Sequence, residues 1–409
     1  MLLSLFASFI LSASARTLSY SDCIDLVSKN NPELLAARSN YESSDQLVKS
    51  AYSTFLPTLS ASLGASNNTP ATYGSNPLYS SALTASYNLF SGLKDQARIK
   101  QAESNRKIAK ANLDSIRAKV GFSLRKAFAQ FQYARENINL TENIRDRRFQ
   151  NDRLVRAQYE SGRENQGSYL VSKSLYEQSL FDQRVAKDQS VLAIQQLAHV
   201  LGEDEQDLEI KGEIPQTTPP ENVRAETLFL TTPAHRLQEA EVELSESNSK
   251  VALGAYFPSL DLAGSVSQKD NHFFPEANQQ WSLGLTLTIP LFSGFKSYRD
   301  YQSTRSLESA ARSNLITADF DLLSELRQNL FNYQESIEKL KVDLNSLNAA
   351  TIRAKIARMR YNSGLLEFEQ WDIIETDLIS RQKAALASKL DRIIAESAYL
   401  QSQGLGDIP

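Results

Sequence analysis

The sequence predicts a mixed α and β chain made of two tandem repeats, each joining a β-hairpin to very long antiparallel helices. Three observations predict it. Residues 280–294 alternate strictly with period two, punctuation marks recur about 200 residues apart, and three-four apolar spacing persists far beyond an ordinary helix.

In the stretch QWSLGLTLTIPLFSG, Trp281, Leu283, Leu285, Leu287, Ile289 and Leu291 fall on one side, and Ser282, Gly284, Thr286 and Thr288 on the other. An apolar face of about 9–11 residues, with an aromatic at one end and small polar residues opposite, fits a transmembrane β-barrel strand whose outside meets lipid. Three further stretches share the pattern. Leu59, Ala61, Leu63 and Ala65 alternate with serines and Gly64. Tyr79, Ser81, Leu83, Ala85, Tyr87 and Leu89 alternate with Ser80, Ala82, Thr84, Ser86 and Asn88. Leu260, Leu262, Gly264 and Val266 alternate with Ser259, Asp261, Ala263 and Ser265. Turn-rich loops at 67–78 and 269–279 join them into hairpins, 54–90 and 257–292. Tyr79, Tyr87 and Trp281 are expected as barrel-surface or interface aromatics.

The hairpins belong to a duplication. Leu89-Phe90-Ser91-Gly92 returns as Leu291-Phe292-Ser293-Gly294, Tyr159-x-Ser161-Gly162 as Tyr361-x-Ser363-Gly364, and Asn31-Pro32 is answered by Thr232-Pro233. The expected organisation is a first repeat over 16–202, a linker over 203–222 containing Pro215, Pro219 and Pro220, and a second repeat over 223–409.

Helical spacing fills the rest. Ala109, Leu113, Ile116, Val120, Leu124, Ala127, Phe131, Ala134 and Ile138 step by threes and fours, and Ala311 to Leu347 repeats the seam. Long helices are expected over 93–160 and 295–361, the first about 100 Å long at 1.5 Å per residue. Such rods need other rods to bury their seams. Gly162 and Gly364 stop them, and returning helices follow over 168–200 and 367–400.

Residues 1–15, MLLSLFASFILSASA, read as a signal peptide ending in Ala13-Ser14-Ala15, although no Lys or Arg precedes the apolar run. Cys23 lacks the small apolar lead of a lipid-anchor site, and as the single cysteine it excludes an intrachain disulfide. With 44 basic and 48 acidic residues and a net charge of −4, no nucleic-acid binder is expected. Arg145, Arg147, Arg148, Arg153 and Arg156 read as a solvated helix face, with a docking surface as the alternative. His199, His235 and His272 lack metal-ligand spacing, and neither a phosphate-cradling loop nor a nucleophile elbow occurs, so no enzyme, cofactor or metal site is expected. Four strands cannot close a barrel, so oligomerisation is required.

The duplicated halves, the two strand pairs, the Leu-Phe-Ser-Gly exits and the Tyr-x-x-Gly tips together resemble the TolC-type outer membrane efflux protein family, over essentially the whole mature chain. The resemblance implies a homotrimer in the outer membrane of a Gram-negative bacterium. Three protomers would pool four strands each into a shared 12-stranded transmembrane β-barrel, continued by a trimeric α-helical barrel through the periplasm. A passive exit duct of a tripartite efflux or type I secretion system would follow, with a periplasmic adaptor protein and an inner-membrane pump as partners. A periplasmic adaptor or a coiled-coil scaffold are the alternatives.

The resemblance also marks the tips. Tyr361 and Gly364 match the second-repeat tip, where the tyrosine of some members helps hold the channel shut, and Tyr159 and Gly162 are the first-repeat counterparts. The family's paired entrance aspartates fall here on Gln370 and Ile373, whereas Glu369 and Asp372 stand one place earlier, three apart and so on one helix face. Leu366 and Ser168 replace an arginine–aspartate interlock. The carboxylates Glu367, Glu369, Asp372, Glu375 and Asp377 read as a solvated helix start, at the positive end of the helix dipole, or, for Glu369 and Asp372 repeated three-fold, as a cation-attracting gating ring.

Overall fold

The structure, a computed structural model, describes residues 16–68, 76–203, 208–219, 225–270, 273 and 279–408. The expected signal peptide, His272 and the centres of both hairpin loops lie outside the described residues. Two compact units occur, and both repeats contribute to each. One comprises Met1–Ala36, Asp114–Thr232 and Leu322–Pro409, the other Ala37–Leu113 and Pro233–Asp321.

In chain order the elements are β1 (Arg16–Leu18), α1 (Tyr20–Asn30), α2 (Pro32–Ala51), β2 (Thr58–Asn68), β3 (Asn76–Phe90), α3 (Lys94–Glu160), α4 (Gln166–Leu201), β4 (Leu208–Ile210), α5 (Ala225–Leu228), α6 (Pro233–Leu253), β5 (Ser259–Asp270), β6 (Gln280–Thr288), α7 (Lys296–Asn362) and α8 (Phe368–Ser402). The repeated punctuation has local causes. Asn31 Oδ1 accepts from the Leu34 N–H at 3.1 Å, capping α2, whose first residue Pro32 has no N–H to leave unpaired. Ser91 Oγ accepts from the Asp95 N–H at 3.2 Å and Ser293 Oγ from the Ser297 N–H at 3.3 Å, so the serine of each Leu-Phe-Ser-Gly holds the first turn of a 67-residue helix. The chain swings from strand to helix through two successive left-handed residues, Gly92-Leu93 at φ 70° and 64° and Gly294-Phe295 at 62° and 66°.

The strand unit holds one antiparallel sheet of order β2-β3-β5-β6. The hairpins meet through β3 and β5, with Leu83 opposite Val266 and Tyr87 opposite Leu262. A register shift between Asn88 and Phe90 sets Phe90 beside Leu260. Leu89, expected to continue the apolar alternation, therefore occupies an irregularity, and the alternation ends at Tyr87.

The helical unit also contains a short parallel pair, β1 with β4, extended by a 2.9 Å hydrogen bond from the Lys211 N–H to the Leu18 carbonyl. Part of the stretch expected as linker is thus a strand. The core includes Cys23, Val27, Leu34, Leu124, Leu197 and Leu201, and burial pushes the Cys23 thiol up to about 11. Beneath the linker, Arg125 on α3 is 4 % exposed. It donates to Ser397 Oγ at 3.1 Å, Asp407 Oδ2 at 2.9 Å, Glu396 Oε1 at 3.1 Å and the Pro215 carbonyl at 3.0 Å. Glu396 Oε1 also accepts the Thr217 N–H and hydroxyl, each at 2.9 Å. The Tyr20 hydroxyl donates to Asp407, and its pKa is raised by burial and then by that carboxylate.

Candidate functional site

The helical tips are built by two glycine stops. At the first, the Gly162 N–H donates to the Tyr159 carbonyl at 2.9 Å and the Arg163 N–H to the Gln158 carbonyl at 2.9 Å. At the second, the Gly364 N–H donates to Tyr361 at 3.0 Å and the Leu365 N–H to Arg360 at 2.8 Å. Both glycines lie in the left-handed region, at φ 73° and 72°. The restarts differ. Asn165 caps α4 by accepting the Ser168 N–H at 2.9 Å, whereas Glu367 precedes α8 without a side-chain cap. Ser168 thus serves its own helix start.

Tyr361 is buried. Its ring stacks on Trp371 at 4.2 Å and 12°, Phe368 meets Trp371 edge-on at 6.3 Å, and Val155 of α3 completes the cluster. Its hydroxyl donates to Glu164 Oε2 at 3.1 Å, binding the second-repeat tip to the first-repeat turn. Burial and the Glu164 carboxylate raise the pKa of that hydroxyl, which stays protonated and donating across the physiological range. Tyr159 stacks on Tyr169 at 5.4 Å and 3°, joining α3 to α4.

Four charges reinforce the tip. Arg147 of α3 forks onto Glu375 of α8, donating Nη2 to Oε1 at 2.8 Å and Nε to Oε2, and Glu375 is fully buried. The neighbouring Arg148 donates to Asp372 Oδ1 at 2.7 Å and to Thr376 Oγ1 at 2.9 Å. Arg147 and Arg148 are therefore docked on α8, and Arg145 donates to Gln183 Oε1 of α4 at 3.0 Å, contrary to the expectation of a solvated face. The expectation suits Arg156, exposed and paired at 2.9 Å with Glu160 one turn on. The structure brings Asp372 and Tyr361 into this tip assembly. Glu369 is exposed, as are Gln370 and Ile373, and Leu366 packs at the margin of the aromatic cluster.

In the strand unit, register aligns the two faces across all four strands. One face carries the row Ala61, Leu83, Val266, Trp281 and, one pleat on, Leu59, Ala85, Gly264, Leu283. The other carries Ser60, Thr84, Ser265, Ser282. Trp281 is 78 % and Leu63 87 % exposed. Tyr79 and Tyr87 are half-buried on the apolar face, Tyr79 meeting Phe273 edge-on at 5.5 Å. An exposed apolar face of this extent on a sheet is unusual for a surface that meets water.

The family model "Outer membrane efflux protein" matches residues 23–203 and 232–404, nearly the whole chain and in two segments. The chain belongs to the outer membrane efflux protein family. Solved structures share the fold of this efflux protein. The outer membrane protein VceC of Vibrio cholerae superposes with a TM-score of 0.82 at 18% identity, covering 95% of this chain and 96% of that one. The CmeC outer membrane channel of Campylobacter jejuni gives 0.83 at 16%, covering 94% and 85%. The open state of the MtrE outer membrane channel of Neisseria gonorrhoeae gives 0.81 at 19%, covering 95% and 89%. No curated protein matches the sequence. The efflux protein is an exit duct of the outer membrane, in a family of channel transporters, and the adaptor and scaffold alternatives fall away. Sequence reasoning missed Arg147, Arg148 and Glu164 at the tip. Their partners Glu375, Asp372 and Tyr361 lie 228, 224 and 197 positions away, so no local pattern marks them.

Proposed function

We propose that three copies of the chain assemble into one passive duct, with twelve strands in a shared outer membrane barrel and the long helices as a periplasmic α-helical barrel. A periplasmic adaptor and an inner-membrane pump, of a tripartite efflux or type I secretion system, would meet its tips. One observation carries the reading: an apolar face in register across a four-stranded sheet whose edge strands, β2 and β6, each have one neighbour. Unpaired strand edges are not tolerated in lipid, and edge-to-edge closure of three sheets satisfies them. Ile316, Phe320, Phe331, Val342 and Ile352, exposed along α7 outside its buried seam, offer apolar surface to a neighbouring protomer. Tyr79, Tyr87 and Trp281 belong to the lipid-facing or subunit-facing surface of this barrel.

The tips form the closed gate. Tyr361–Glu164 and Arg148–Asp372 hold the two repeats together, Gly162 and Gly364 allow the tight reversals, and Tyr159 braces the first tip. Exposed Glu369, repeated three times, supplies a cation-attracting ring at the entrance.

Expression with the leader in a Gram-negative host, outer-membrane extraction, mass in detergent and single-channel recording test both levels. A pore of three protomers is expected. Arg148→Ser with Tyr361→Phe should raise its conductance, and Glu369→Gln should weaken block by divalent cations. A soluble species or a poreless membrane species would overturn the duct. Unchanged conductance in the double variant would overturn the gate.

A further inference from the structure

The polar face of the sheet is almost free of charge. Its cross-strand rows are serine, threonine, alanine and glycine, such as Thr58, Ser86, Ala263, Gly284 and Ser60, Thr84, Ser265, Ser282. Among the described residues of that face only Asp261 and Lys269 carry charge, both on β5. An even separation puts them on the same face, roughly 26 Å apart along the strand at about 3.3 Å per residue. Asp261 sits in the row with Asn88 and Thr286, and Lys269 pairs with Ser80 near the other end of the sheet. Both are exposed, and neither forms an ion pair with a described residue. The adjacent Asp270 points to the opposite face, opposite Tyr79.

We infer that Asp261 and Lys269 set the charge preference of the strand-lined pore, as two opposed rings of three carboxylates and three ammonium groups in series. The inference rests on the duct reading, in which the polar face lines the lumen. Hydroxyl groups solvate ions of either sign, so a serine and threonine wall discriminates little by itself. A ring of like charges raises the local concentration of its counter-ion. The Debye length is about 10 Å at 0.1 M salt, shorter than the separation of the rings, so each acts on a passing ion separately. One favours cations and the other anions, and their effects on permeation largely cancel. Cargo without net charge meets no barrier of either sign, whereas a polyion meets one ring that repels it.

The two charges predict a factorial result. Trimers of the full chain and of Asp261→Asn, Lys269→Gln and the double variant are inserted in planar bilayers, and reversal potentials are read across a potassium chloride gradient centred near 0.1 M. Asp261→Asn should shift the potassium-to-chloride permeability ratio toward chloride and Lys269→Gln toward potassium, each by about two-fold or more, with the double variant returning close to the parent. Near 1 M salt, where the Debye length falls to about 3 Å, the shifts should vanish. Trimer yield in detergent confirms assembly, since both side chains are exposed and both replacements polar. Pores of normal conductance whose selectivity is the same in all four proteins would overturn the inference alone. Absence of any pore in the parent would overturn the duct as well.

Discussion

Arg125 shows how much of this protein hangs on single buried ions. Its guanidinium satisfies Glu396, Asp407, Ser397 and the Pro215 carbonyl together, and Glu396 is shut off from solvent. Removing one partner of such a cluster strands the others, which costs about 3–5 kcal/mol. Arg125→Met should therefore lower the thermal midpoint sharply, and adding Glu396→Gln should restore part of the loss by removing the uncompensated carboxylate. Calorimetry of the three proteins checks it. Equal midpoints for parent and Arg125→Met would refute it. The sequence marks Leu124 and Ala127 as seam positions and leaves Arg125 anonymous, because its partners lie 90 to 282 positions away. Arg147 and Arg148 were hidden for the same reason: a charge run looks solvated until a second helix brings the carboxylates to it. Tyr361 was legible because a tyrosine three residues before a stop glycine occurs twice.

At the scale of the element, period and punctuation carried the reading. The long helices begin and end where the repeated serines and glycines lie, and the strands follow their alternation, except that β6 stops at Thr288, before Pro290, and leaves Ile289 and Leu291 outside the strand. Two features escaped it. Strands β1 and β4 have three residues each, too few for a period to declare itself, and β4 carries Glu209 at its centre. The irregularity at Leu89 hides inside an alternation that looks unbroken. The strand-to-helix joints store strain, since Leu93 and Phe295 are non-glycine residues in left-handed backbone, each costing roughly 1–2 kcal/mol. Leu93→Gly should raise the unfolding free energy by about 1 kcal/mol, measured by denaturant titration, because its side chain is largely exposed and loses little. Gly92→Ala should act the other way and more strongly, since an added Cβ would stand 2.7 Å from the Gly254 carbonyl oxygen and 2.8 Å from Phe257 Cβ. A destabilised Leu93→Gly protein would show that packing of the leucine outweighs the backbone strain.

For the molecule as a whole, the two faces of the sheet decide where it resides. Leu285 and Thr286 are neighbours in β6 and both exposed, yet they point to opposite faces. Arginine on the lipid side of a barrel costs about 2–4 kcal/mol near the bilayer midplane, while a lumen substitution is tolerated. Leu285→Arg should thus reduce assembled protein in the outer-membrane fraction several-fold, and Thr286→Arg should leave it near the parent. Quantitative blotting of fractionated membranes distinguishes them: equal loss in both would argue against two distinct faces, and loss in Thr286→Arg alone would argue that the faces are inverted. The faces were legible from period two alone. The adjacency of β3 and β5 was not, because alternation fixes which way a side chain points and says nothing about which strand lies beside it.

The hydrogen bond between Tyr20 and Asp407 spans 387 positions. A polypeptide threaded amino end first delivers Tyr20 387 positions ahead of Asp407, and β1 waits for residue 208 before it has a neighbour. Arg125 likewise receives Glu396, Ser397 and Asp407 only 271, 272 and 282 positions after itself. Arrival of these distant partners is therefore a test the fold sets itself. A chain stopped short of Asp407 keeps a cation without its full set of partners beneath the linker, and so carries an internal mark of their absence.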